Sequence, residues 1–281
     1  MEKIYSRYNA IQRELVKKYI VEKGITMSEN VLSAFKNELG YINATNQYVE
    51  LSVRITEKDH GSDLKKDLQR LAQSVNLNVS TLVEDYMCRI SKSYIVNVNS
   101  CLENFLKSFR HLPGSPTNIT EKEKTKEDDW LEWTLSIAFS SIENNIKNDV
   151  FVCEYYRLIR NHIVHNGESS STIKNKRALI KTEDNSRLNA PNDLDSLTFD
   201  DQVLFSRAAY NVAKYIFNNS QYDISAIIEA NKESFIDLIK PFQEPRSHSR
   251  ATKKVKHFIG LSYPKLTNVN WEREVATLLS E

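Results

Sequence analysis

Glycine and proline are scarce in this chain, six of each in 281 residues. That scarcity excludes a turn-rich β architecture and favours long helices. Cysteine is scarcer still. Cys88, Cys101 and Cys153 are an odd number without a close pair. They exclude a disulfide frame or a cysteine zinc site and fit buried free thiols in a reducing cytoplasm. No apolar run approaches the roughly 18–20 residues that a membrane span needs, so no membrane partner is expected. Met1-Glu2-Lys3 leads into a charged amphipathic segment and not a secretory leader. Neither sign of charge is in excess: 38 Lys and Arg face 37 Asp and Glu. A chain-wide basic field, as on a general nucleic-acid coat, is therefore excluded, but an enzyme touching a few phosphates is not. Carboxylates do not cluster at metal-ligand spacing, so no metal and no cofactor is expected.

What is present is helical periodicity. Ile4, Tyr8, Ile11, Leu15 and Tyr19 predict a helix over 1–23. Ser28 is placed to cap a second helix that Gly40 would stop after Leu39. Val49, Leu51, Val53 and Ile55 then alternate with polar residues, a strand period, with a helix containing 42–56 as the rival. A further helix is predicted from Asp63 to about Val75. The longest apolar stripe runs from Ser80 to about Leu112, through Val83, Met87, Ile90, Tyr94, Val98, Cys101, Phe105 and Phe109. Next come a charged loop, Glu121 to Asp129, a helix carrying Trp130 through Ile142, and a helix from about Asn148 to Asn166 with Gly167 as its cap. Residues 168–199 form a polar connection with room for a small hairpin. Helices over roughly 200–218 and 222–240 precede a basic run, Arg246 to Lys256. The fold class is all-α, divided into an N-terminal mostly helical extension (1–78), a helical bundle domain (79–243) and a short basic C-terminal tail (244–281).

The chemistry concentrates in Tyr155–Gly167, YYRLIRNHIVHNG, where Arg160-Asn161 is followed by His165. RNA carries its own nucleophile, the 2′-hydroxyl. Cleavage needs a base for that proton, an acid for the leaving 5′-oxygen and positive charge on the crowded phosphate. Histidine suits proton transfer near neutral pH, with an unperturbed pKa of about 6.5. Arginine is always charged and its planar fork matches phosphate oxygens. At roughly 100° per residue, Arg157, Asn161 and His165 stack one above another, and Arg160 sits at the far edge of the same polar arc, about 140° from His165. His162 falls toward the side expected to be buried. One histidine per chain is too few for an acid and a base. A two-fold dimer would supply both, so a composite site is expected with Arg160 and His165 from each subunit.

The motif, its helix-end setting and the long amphipathic helix upstream resemble the HEPN superfamily, whose metal-independent ribonucleases carry Arg-x4-6-His, often with Asn, Asp or His after the arginine. Cys101-Leu102-Glu103-Asn104-Phe105-Leu106 is similar to an acidic-aromatic stretch on a core helix of several of its families. The resemblance spans roughly 80–240. It implies an antiparallel helical bundle, a homodimer and a metal-free endoribonuclease acting on RNA. It also implies a bacterial defence or toxin role, with abortive infection among the settings, held in check by an antitoxin or regulatory partner. Arg160, Asn161 and His165 are the catalytic candidates; Glu103, Arg157 and His162 are candidates for support, and Glu84 is a second acidic one.

Each residue also has a plainer reading. Arg160 and His165 could form a surface or capping cluster at their helix end, and His162 a core histidine. A metal held by His162 and His165 lacks a completing carboxylate. Trp130 and Trp133 could stack bases but are more readily core or seam, and the basic run is more readily solvated than an RNA contact. The alternative to an enzyme is a HEPN-like RNA- or nucleotide-binding domain, or an interaction scaffold, that does not cut.

Overall fold

The computed structural model describes residues 30–60, 66, 70, 72–76, 86–125, 128–165, 169–181, 187–242, 244, 247–264, 266 and 269–280. The expected helix over 1–23, its neighbour's cap Ser28, Glu84, and Asn166, Gly167 and Glu168 lie outside these residues, as does most of the expected helix from Asp63. The chain is all-α: among the described residues there is no strand. None of their helices is long and apolar enough to cross a membrane.

Helix α1 (Val31–His60) and helix α2 (Tyr86–His111) pack antiparallel. Phe35 meets Phe105 at a ring separation of 5.2 Å, and Tyr94 reaches the Asn46 carbonyl at the other end. Asn30 caps α1, its Oδ1 accepting from Leu32 N and Ser33 N. The strand expected at 49–55 is a helix, and Gly40 does not stop it. The reason lies in the inward stripe, Phe35, Leu39, Ile42, Asn46, Glu50 and Val53, which steps by three and four. Two of its members are polar, so hydrophobicity alone hides the period. The alternating Val49, Leu51 and Ile55 are the exposed ones.

After α2 the chain turns at Gly114, whose φ of +70° suits glycine. A short helix α3 (Pro116–Ile119) and helix α4 (Trp130–Ala138) follow. Asp129 caps α4 by accepting from Leu131 N and Glu132 N. The helix ends at Ala138, short of the expected Ile142.

Helix α5 (Asn144–His165) carries the motif and runs antiparallel to α7 (Phe199–Asn219). Polar pairs pin the two at both ends: Asn211 donates to Asp149 at 3.0 Å, and Tyr156 donates to Asp201 at 2.7 Å. Along the same seam Val152, Ile159, Phe205, Ala209 and Val212 are fully buried, each large side chain contributing about 1.5–3 kcal/mol. Helix α6 (Ser170–Arg177) folds back along α5, where Lys176 pairs with Glu154. The connection expected to hold a hairpin therefore opens with a helix.

The helix expected over 222–240 is two, α8 (Ile224–Ala230) and α9 (Lys232–Ile239), broken at Asn231. The segment read as a basic tail contains α10 (His248–Ser262) and α11 (Trp271–Ser280). Val255, Phe258, Ile259, Trp271 and Val275 bury one face, and Tyr263 donates to the Pro113 carbonyl at 3.0 Å. Lys253 is exposed and Lys254 and Lys256 lie at or near the surface.

Candidate functional site

Three sequence candidates come together at the C-terminal end of α5. Arg160 Nη1 donates to Asn161 Oδ1 at 3.2 Å and meets His165 Nε2 at 3.4 Å. A helical separation of 140° would leave short side chains apart; the long arginine stem closes it. Among the described residues both contacts use Nη1, and the buried Nε has no hydrogen-bond partner. The root of the guanidinium is thus buried, and Nη1 lies at the exposed edge beside His165. A guanidinium only donates, so this contact is a hydrogen bond in the tautomer whose Nε2 carries the lone pair, the same lone pair that a general base needs.

Arg157 does not join this cluster, although the helix stacks it below Asn161. It turns to Asp129, with Nε 3.2 Å from Oδ2. Both side chains are largely buried, and Nε is not aimed for a hydrogen bond. The pair ties α5 to the start of α4. His162 is half-buried and not part of the core. Glu103 accepts from Asn99 at 2.8 Å and lies 3.8 Å from Lys107, both on its own helix. Its expected reach to Arg160 or His165 is not seen. Trp133 is buried and Trp130 half-buried. Arg110 stacks over both indoles, at 5.4 Å and 6.0 Å, and Lys124 lies 4.9 Å from the Trp130 ring. These contacts staple α2 to α4.

Sequence reasoning missed the device that orients the motif helix. Asp201 is fully buried at the start of α7 and accepts from Tyr156, Asn192 N, Asn192 Nδ2 and Thr198 N, at 2.7–2.9 Å. The neighbouring Tyr155 hydroxyl donates to the Asn192 carbonyl. Burial and, secondarily, the Asp201 carboxylate push the Tyr156 phenol well above its ordinary value. Thr198-x-x-Asp201 is a capping box, and that pattern is the signal that could have found it. Two tyrosines four and five residues before Arg160 are thereby locked, which fixes the rotation of α5 and so the direction of its polar arc. Among the described residues, no group of His, Cys, Asp and Glu is placed to hold a metal ion.

Comparison with known proteins brings no match: no family model fits the chain, and no curated protein or solved structure is significantly similar to it.

Proposed function

We propose that this chain is a metal-independent endoribonuclease of HEPN type. The observation that carries the reading is the contact of Arg160 with both Asn161 and His165 on an exposed helix edge. In the proposed reaction His165 Nε2 takes the proton of the ribose 2′-hydroxyl. The 2′-oxygen attacks phosphorus, the bond to the 5′-oxygen breaks, and that oxygen receives a proton from a second histidine. The products are a 2′,3′-cyclic phosphate and a free 5′-hydroxyl. Arg160, whose buried Nε has no hydrogen-bond partner among the described residues, turns its outer nitrogens to the phosphate oxygens as negative charge builds. Asn161 holds the guanidinium in register.

The second histidine is His165 of another copy, in a homodimer whose two-fold axis sets two α5 ends face to face. The exposed Val164 beside His165 offers an apolar contact on the same arc. A cytoplasmic defence or toxin effector, restrained by an antitoxin or other regulator, is the cellular setting that the motif's family resemblance supports.

The test is RNA cleavage by purified protein in excess chelator, wild type against His165→Ala, with the new ends mapped. Cyclic phosphate ends and a loss of at least about 100-fold in the variant are expected. His165 is exposed, so its removal should leave the fold intact. Equal activity in the two proteins, or no cleavage by folded, dimeric wild type, would favour the binding or scaffold reading.

A further inference from the structure

A second site lies on another seam of the bundle, where α1, α2 and the start of α7 meet. Its cavity is about 450 Å³, within the range that holds small ligands. Two of its lining side chains are more than nine-tenths buried and carry polar atoms without partners among the described residues: Glu50 Oε2 and Ser91 Oγ. The other Glu50 oxygen accepts from Arg54 Nε at 2.8 Å. Asp200 also lines the cavity, and one of its oxygens accepts from Asn189 N. Leu197 and Phe199 supply the apolar wall.

The charges decide the ligand. Among the described residues that line the cavity, two are carboxylates and one is a guanidinium, an excess of one negative charge. A buried carboxylate oxygen with no donor is costly, and a charged N–H donor relieves it best. A primary ammonium offers three donors on a compact head, and an alkyl stem would lie along Leu197 and Phe199. We propose that this cavity binds a monocationic N–H head group on an apolar stem, as in a small alkylamine or a lysine side chain. Glu50 and Ser91 turn their buried oxygens to the head as it enters, and Asp200 contributes charge from the rim. The site stands whether or not the chain cuts RNA.

The test uses full-length protein and calorimetric titration with n-butylammonium, against n-butanol (no charge) and tetramethylammonium (charge without N–H). Saturable binding of butylammonium alone is expected. Glu50→Gln should weaken it at least tenfold, and Ser91→Ala, a smaller change should Glu50→Gln not fold, severalfold. Butylammonium binding no tighter than butanol would mean that water satisfies these groups, and overturns the proposal. Equal affinity in wild type and folded Glu50→Gln, or in wild type and Ser91→Ala where Glu50→Gln does not fold, overturns it too. A capped lysine peptide, titrated in parallel, separates the two sources: tighter binding than butylammonium marks a protein lysine, weaker binding a free amine.

Discussion

At the residue scale the candidate site separates into groups that face outward and groups that aim them. Arg160, Asn161 and His165 were legible because their chemistry and spacing are written in six consecutive residues. The aiming groups were not. Asp201 reads as one more acidic residue in the first turn of a helix, and only the packing of α7 on α5 shows that it receives Tyr156. Tyr156→Phe removes one donor and should cost about 1 kcal/mol. Asp201→Ala strands at least four donors and should cost about 3 kcal/mol or more. Urea unfolding of the two variants checks both, and a larger loss for Tyr156→Phe would contradict this ordering. Arg157 failed as a neighbour of Asn161 for a related reason: helix geometry places its Cβ, but Asp129 captures its guanidinium. On the proposed chemistry, Arg160→Lys keeps the charge and loses the fork, so RNA cleavage should fall about 10–100-fold with unfolding unchanged.

At the scale of the element, the helices with an apolar stripe were legible from spacing: α5 and α7 lie where expected to within a few residues, and α2 ends where expected, its expected start at Ser80 lying outside the described residues. The failure at α1 has a specific cause. A helix whose buried face includes Asn46 and Glu50, and whose exposed face includes Tyr41, Tyr48, Leu51 and Ile55, inverts the usual contrast of polar and apolar. Period-two alternation then outscores the true period. Two glycines separate intrinsic preference from context here. At Gly40 an added Cβ would meet nothing within 4 Å, inside a continuous helix. Gly40→Ala should therefore stabilise by about 0.5–1 kcal/mol. Gly114 is the opposite case: φ is +70°, and an added Cβ would lie 2.4 Å from the Asp223 carbonyl oxygen, which is backbone and cannot turn aside. The Gly114 carbonyl itself accepts from Asp223 N at 2.8 Å, closing the turn onto α8. Gly114→Ala should destabilise by about 2 kcal/mol or more. Thermal unfolding of the pair should show shifts of opposite sign.

At the scale of the molecule, the all-α class followed from scarce glycine and proline, but the fate of the last 38 residues did not. Charge density drew attention to Arg246–Lys256, whereas Val255, Phe258, Ile259, Trp271 and Val275 decide that the segment joins the core. The same core, rich in buried phenols and thiols, sets a limit on the alkaline side. Burial pushes Tyr94 and Tyr263 to about 12, and raises Tyr155, Tyr156 and Tyr222 well above the ordinary phenol value. It raises Cys101 to about 12, and Cys153 well above the ordinary thiol value of 9.0. In the unfolded chain these groups ionise near 9 and 10, so above those values the unfolded state binds fewer protons than the folded one. Stability falls with pH wherever that holds. The contribution is complete below about pH 9 and is lost progressively as pH climbs through 10 toward 12. Urea stability should be insensitive to these groups between pH 7 and 8.5 and drop steeply from pH 10 to 11.5, with phenolate absorbance rising together with the loss of helical circular dichroism. Phenolate that formed in full near pH 10, while the helical signal persisted, would show that these rings are solvated in the folded chain and that the core is not packed as described.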